Sequence, residues 1–342
     1  AAIISTASWS SSLLLFAVGT VIALALGIVL YSEGIFTLGA IFMLYSYTEL
    51  LSRPIEQISR QMQDFQLASA GIQRIRELFS LHSAVADKGK AKLQPGSLAV
   101  TFDNVVFGYE GEEPVVRSLS FAIKPGERLG LLGRTGSGKT TLTRLLFRFY
   151  DPLQGTIRLN GLSLRDIPVS ELRKHVAIVT QDIHLFHASV RDNLTFFDRS
   201  IADERILSVL ADLGLSTWLE RLPHQLDSVL APGGAGLSAG ESQLLAFARV
   251  YLRDPGLVIL DEASSRLDPA TEHRLENAVD RLLRGRTGII IAHRLATVQR
   301  VDHILILELG QCLETGQRDE LAQNPQSQFA QLLRVGLEEA LV

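Results

Sequence analysis

Nine consecutive residues carry the clearest chemistry in the chain: Gly133-Arg134-Thr135-Gly136-Ser137-Gly138-Lys139-Thr140 and, directly behind them, Thr141. They fit G-x-x-x-x-G-K-[ST], a cradle for phosphate. Glycines let successive backbone N–H groups turn toward one anion, and a helix N-terminus adds partial positive charge. Lys139 reaches the β- and γ-phosphates of a nucleotide, and the Thr140 hydroxyl suits Mg²⁺. A glycine-rich turn with a chance lysine is the alternative, and the setting disfavours it: Arg128 to Leu132 reads as a buried strand leading in, Leu142 to Phe149 as a helix leading out. A second constellation ends the apolar run Leu257-Val258-Ile259-Leu260 in Asp261-Glu262. Asp261, at the carboxyl end of a strand, suits the Mg²⁺ shell, and Glu262 can orient or deprotonate an attacking water. The alternative for Glu262 is an exposed acid at a strand end.

The elements that must position these residues follow from length and pattern. A chain of 342 residues suggests about two domains. Mean hydropathy is +0.20, with the apolar excess at the front, where Leu13 to Tyr31 carries no charge. A net charge of −4 and a pI near 6.1 argue against a nucleic-acid surface. The single cysteine, Cys312, excludes an internal disulfide and points to a reducing compartment. Residue 1 is alanine and no basic n-region precedes the apolar segment, so the expectation is the C-terminal part of a longer chain rather than a signal peptide.

Two spans are expected at about 11–31 and 34–51, the second needing Leu50 and Leu51 beyond Glu49. Arg53, Arg60, Arg74 and Arg76 mark the cytoplasmic side. Ile55, Ile58, Met62, Phe65, Ile72, Ile75 and Phe79 recur at helical spacing, so residues 1–81 read as membrane helices continued by a cytoplasmic helix. Residues 82–97 read as a linker and 98–342 as a soluble domain. In it, strands are expected at Leu98–Phe102, Val105–Tyr109, Val115–Ile123, Gly155–Leu159, Val176–Thr180, Leu257–Leu260, Thr287–Ala292 and Ile304–Leu309, the last before C-terminal helices. Their alternation with helices predicts a largely parallel sheet covered on both faces. His184 and His187 lack an evident third ligand and read as loop residues.

With these motifs in place, the sequence resembles the ATP-binding cassette (ABC) proteins. Leu237-Ser238-Ala239-Gly240-Glu241 is similar to the family's Leu-Ser-Gly-Gly-Gln signature, Gln181 to its Q-loop, His293 to its switch histidine, Ser265-Arg266-Leu267-Asp268 to its D-loop, and Tyr109 to its adenine-stacking aromatic residue. Ala239, Glu241 and Arg266 depart from the common residues. Pro54 followed by a helix looks like the end of an exporter's membrane domain. The resemblance implies an α-helical transmembrane segment followed by an α/β P-loop NTPase domain of ABC type, with a mixed sheet core and a helical subdomain. It also implies that two such ATPase domains meet head to tail, with Ser238 and Gly240 gripping the γ-phosphate bound to the partner. Gln181 would touch Mg²⁺ together with Thr140 and Asp261, and His293 would hold the water's geometry.

The function so implied is an ATP-binding and permease subunit of an exporter that hydrolyses ATP to move an unidentified substrate. It would be integral to a bacterial plasma membrane, with its ATPase domain cytoplasmic, lipid around its spans and a second half-transporter, identical or different, as partner. Three rivals remain at this point: a soluble ABC ATPase acting as a mechanical clamp, an importer ATPase, and a nucleotide-sensing membrane subunit. Leu13 to Tyr31 counts against the clamp, fused spans against the importer, and the pairing of Glu262 with His293 against a slow sensor.

Overall fold

The structure, a computed structural model, describes residues 2–80, 83, 85–180, 182–261, 269–292 and 295–335. The chain divides into two compact units, Ala1–Ser83 and Ala84–Val342.

The first unit is a pair of helices, α1 (Ala2–Ser32) and α2 (Leu38–Ser80). Gly34, at φ 74°, lets the chain reverse, and the Thr37 hydroxyl accepts the Ala40 N–H at the start of α2. A Cβ on Gly27 would stand 3.6 Å from Ile41, so the helices approach closely there. Pro54 lies inside α2, which continues through it to Ser80. Leu14, Val21 and Ile22 on α1 and Phe42 and Leu50 on α2 are exposed, as are Phe65 and Phe79 further along α2. The span expected at about 11–31 falls within α1 and that at about 34–51 starts in the turn before α2, but among the described residues no helix is long and apolar enough to cross a membrane.

The second unit contains two sheets. β1 (Val100–Phe107), β2 (Val116–Ile123), β4 (Gln154–Leu159) and β5 (Leu162–Ser163) form an antiparallel sheet in the order β2-β1-β4-β5. The larger sheet has the order β10-β9-β3-β8-β7-β6, built from β3 (Arg128–Leu132), β6 (Val176–Val179), β7 (Leu257–Asp261), β8 (Thr287–Ile291), β9 (His303–Glu308) and β10 (Gln311–Gln317). Its strands are parallel except β10, so the sheet is mixed. The helices are α3 (Lys139–Leu146), α4 (Val169–His175), α5 (Val190–Thr195), α6 (Asp203–Asp212), α7 (Ser216–Glu220), α8 (Ala239–Arg253), α9 (Pro269–Leu283), α10 (Leu295–Val298), α11 (Arg318–Gln323) and α12 (Gln328–Val335).

Alternation of side chains explains why the central strands are apolar throughout. Leu257 and Ile259 of β7 enter a core shared with the antiparallel sheet and with Leu142, Leu145 and Leu146 of α3. Val258 and Leu260 face the other way, into a core with α5 to α9 and α12. Leu257, Val258 and Ile259 have no exposed surface, and each such burial contributes about 1.5–3 kcal/mol of transfer free energy.

Two strand expectations change. The two short strands expected around residues 98–109 are one strand, β1, bent by register shifts around Val105 with Asn104 at φ 47°. β10 was not expected after Ile304–Leu309. It forms a hairpin with β9 through Leu309 and Gly310, both at positive φ, as a two-residue turn requires. In the stretch expected as a linker, residues 85–97 bond to the rest of the second unit. Lys90 and Ala91 donate N–H bonds to the Asp166 carbonyl, Leu93 is buried, and Arg148 donates to the Ala86 carbonyl.

Candidate functional site

β3 delivers the chain to Gly133 at the carboxyl edge of the sheet, and α3 carries it away from Lys139. Between them Gly133, Gly136 and Gly138 sit at φ 148°, 83° and 106°, where residues with a Cβ are strained. A Cβ on Gly133 would also lie 2.4 Å from the Leu307 carbonyl oxygen of β9 and 2.6 Å from Ser137 Oγ. The loop can therefore be made only from glycine at that point. Gly138 precedes α3 with no side-chain cap, which leaves the first N–H groups of the helix facing the loop. Ser137 Oγ is buried without a hydrogen-bond partner. An orphaned buried hydroxyl beside uncapped N–H groups is a set of donors suited to an anion, and a nucleotide's phosphates fit it.

Lys139 is 8% exposed and turns back over its own loop, donating to the carbonyls of Gly133 and Arg134. Burial pulls its amine below the usual lysine range, and the Asp261 carboxylate opposes that shift. Asp261 closes β7, and β8 lies between β7 and β3. Leu131 and Asp261 both pair with Ile291, which puts their Cα atoms two strand spacings apart, about 10 Å. Thr140 is exposed and Thr141 buried; Arg134 and Thr135 are exposed on the outer turn of the loop. Oxygen donors at Thr140 and Asp261 on one edge of the sheet suit Mg²⁺, a hard cation.

The carboxyl ends of β3, β6, β7 and β8 lie at that same edge. Gln181, Glu262 and His293 follow β6, β7 and β8 in sequence; all three, with the Ser265–Asp268 segment, lie outside the described residues.

Ser238 and Gly240 stand at the start of α8, with Ser238 as its N-cap. Ser238 Oγ accepts the Glu241 N–H at 3.2 Å, and Glu241 Oε2 accepts the Ser238 N–H at 2.8 Å and the Ser238 hydroxyl at 2.9 Å. A Cβ on Gly240 would lie 2.1 Å from Thr271 Cγ2, so glycine is what lets α9 close on α8.

Tyr109 follows β1 and turns its hydroxyl to Thr141 Oγ1 at 3.2 Å, while Arg144 donates to the same hydroxyl at 2.9 Å. Sequence reading named neither Arg144 nor Arg249. Arg249 donates to the carbonyls of Asn193 and His184 and stacks 4.9 Å from the Phe196 ring, tying α8 to α5 and to the segment after β6. Burial lowers its guanidinium's pKa. The available signal was an arginine inside the apolar run Leu244 to Val250.

Comparison with known proteins bears on this site. A profile of the ABC transporter family matches residues 116–265. The chain is 36% identical over 298 residues to the uncharacterized ABC transporter ATP-binding protein YfiC of Bacillus subtilis, covering 87% of this chain and 49% of that one. It is 35% identical over 304 residues to an ATP-dependent lipid A-core flippase of Alcanivorax borkumensis, covering 89% and 52%. Its identity to a β-(1→2)glucan export ATP-binding/permease protein of Rhodopseudomonas palustris is 36% over 318 residues, covering 92% and 52%. The chain thus spans about half the length of these curated relatives. The solved structure of a bacterial Atm1-family ABC exporter with ATP bound aligns at a TM-score of 0.72 and 30% identity, covering 98% of this chain and 58% of that one.

Proposed function

We propose that the chain, whose residues 116–265 match the ABC transporter family, is the ATP-binding and permease part of an ABC exporter that couples ATP hydrolysis to movement of a substrate across a membrane. The observation that carries this is the phosphate loop itself: an uncapped α3, the unpartnered Ser137 hydroxyl and Lys139 under the charge of Asp261. Thr140, Gln181 and Asp261 would hold Mg²⁺, which would supply positive charge against the phosphates.

The chain's own residues would do the rest. Tyr109 stacks on adenine. The N–H groups of the Gly133–Thr141 segment hold the phosphates, and Lys139 exchanges its loop carbonyls for the β- and γ-phosphate oxygens. Glu262 takes a proton from the attacking water while His293 and Gln181 fix the water's position. Ser238 and the Gly240 N–H engage the γ-phosphate held by a second half-transporter, identical or different, and Ser238 must release Glu241 to donate its hydroxyl. Binding then closes the two ATPase domains, and hydrolysis reopens them.

Residues 1–81 are proposed as the end of a membrane domain, with spans at about 11–31 and 34–51 in a bacterial plasma membrane and the ATPase domain in the cytoplasm. The named activities of the relatives and the uncharged Leu13 to Tyr31 stretch support this. Titration of the full-length protein in lipid with a fluorescent ATP analogue tests the nucleotide reading. Binding should strengthen with Mg²⁺ and collapse in Lys139→Ala; equal affinity in the two proteins would refute it.

A further inference from the structure

Tyr109 and the phosphate loop come from distant parts of the sequence, yet one hydrogen-bonded chain joins them. Arg144 Nη1 donates to the Tyr109 hydroxyl at 2.9 Å, and that hydroxyl lies 3.2 Å from Thr141 Oγ1. A guanidinium can only donate. The phenol oxygen is therefore Arg144's acceptor, and the Tyr109 and Thr141 hydroxyls share a second hydrogen bond. The Arg144 guanidinium also lies 5.8 Å from the centre of the Tyr109 ring. Phe107 and Tyr150 meet the ring nearly at right angles, at 5.1 and 5.4 Å.

We infer that Arg144 is a positioning residue for nucleotide recognition: it fixes the Tyr109 ring from α3, so that the surface that stacks on the base and the loop that holds the phosphates form one frame. This inference rests on the ATP-binding reading above and deepens it.

The physical reason is order before binding. Tyr109 sits two residues past the end of β1, on the stretch leading to the exposed Glu110–Glu113 turn, where a side chain held only by its backbone would sample several rotamers. A ring already held by Arg144, Thr141 and two aromatic neighbours loses little further freedom when a base stacks on it. Thr141 directly follows Thr140 on the first turn of α3, so the anchor is attached to the phosphate-binding segment. Arg144 is exposed, and its replacement leaves the core untouched.

The test is steady-state ATP hydrolysis by the full-length protein in lipid, with inorganic tripolyphosphate as a competing inhibitor that has phosphates but no base. Arg144→Met should raise the KM for ATP by about three- to tenfold. Its kcat should stay within about twofold, and tripolyphosphate should inhibit as in the wild type. Tyr109→Phe, which keeps the ring and loses the hydroxyl, should match Arg144→Met, and the double variant should be no worse than either single one. Parallel weakening of tripolyphosphate would make Arg144 a direct phosphate ligand and overturn the inference. So would an unchanged KM in Arg144→Met beside a raised KM in Tyr109→Ala. If Tyr109→Ala itself leaves the KM unchanged, the base does not stack there, and the placing of adenine fails together with the anchor.

Discussion

Ser238 and Glu241 hold each other across the first turn of α8. The hydroxyl of one accepts the backbone N–H of the other, and the carboxylate returns a bond to the Ser238 N–H and hydroxyl. A glutamine there can accept the same N–H without the charge. Glu241→Ala should therefore lower unfolding stability by about 1 kcal/mol, and Glu241→Gln by less than about 0.5 kcal/mol, in urea titrations of the full-length protein. No loss in Glu241→Ala would show that the carboxylate's return bond contributes nothing.

Gly133 is enclosed on two sides, by the Leu307 carbonyl and by Ser137. Gly133→Ala must push backbone against backbone at a φ of 148°. The expected result is a loss of about 2 kcal/mol or more in stability, with nucleotide binding abolished, whereas Gly136→Ala, with open space around its Cβ, loses binding with a smaller structural cost. Thermal melts with and without Mg-ATP would separate the two.

Lys139 gives a pH signature. Its folded pKa lies below the model-peptide 10.5, so between the two values the unfolded chain binds a proton that the folded chain does not. Stability without nucleotide should rise with pH through that alkaline window as this penalty is relieved. Lys139→Met should flatten that rise in denaturant titrations. A variant with the wild-type slope would mean that the amine is not desolvated.

Arg148 is 2% exposed, pairs with Asp151 at 3.0 Å, and donates to the carbonyls of Ile167 and Ala86. Removing it leaves the buried Ile167 carbonyl, the half-buried Asp151 carboxylate and the Ala86 carbonyl each short of a donor. Arg148→Met should cost about 3 kcal/mol. It should also speed hydrogen exchange at the Lys90 and Ala91 amides, which bond the Asp166 carbonyl nearby. Unchanged exchange there would detach the segment's order from Arg148.

The phosphate loop was legible because its requirements are local: glycines at fixed spacing, a strand before and a helix after. Strands β3, β6, β7 and β8 were legible because burial on both faces leaves them apolar without interruption. β10 was not. It is an edge strand whose burial alternates, and its Gln311-Cys312-Leu313-Glu314-Thr315-Gly316-Gln317 carries few apolar residues. The ordering of 85–93 was equally hidden, since it depends on close backbone approach at Gly89, where a Cβ would meet Asp166 O at 2.5 Å, and on an arginine far along the chain. Roles such as those of Arg144 and Arg249 arise from contacts across 35 and 56 residues of sequence, which periodicity does not record.

The most direct test of the account is ATP turnover by the full-length protein in lipid, wild type against Glu262→Gln. The account predicts Mg²⁺-dependent turnover in the wild type, and in the variant a loss of nearly all turnover with ATP still bound. Turnover retained by Glu262→Gln would contradict Glu262 as the base, and absence of ATP binding in the wild type would contradict the account as a whole.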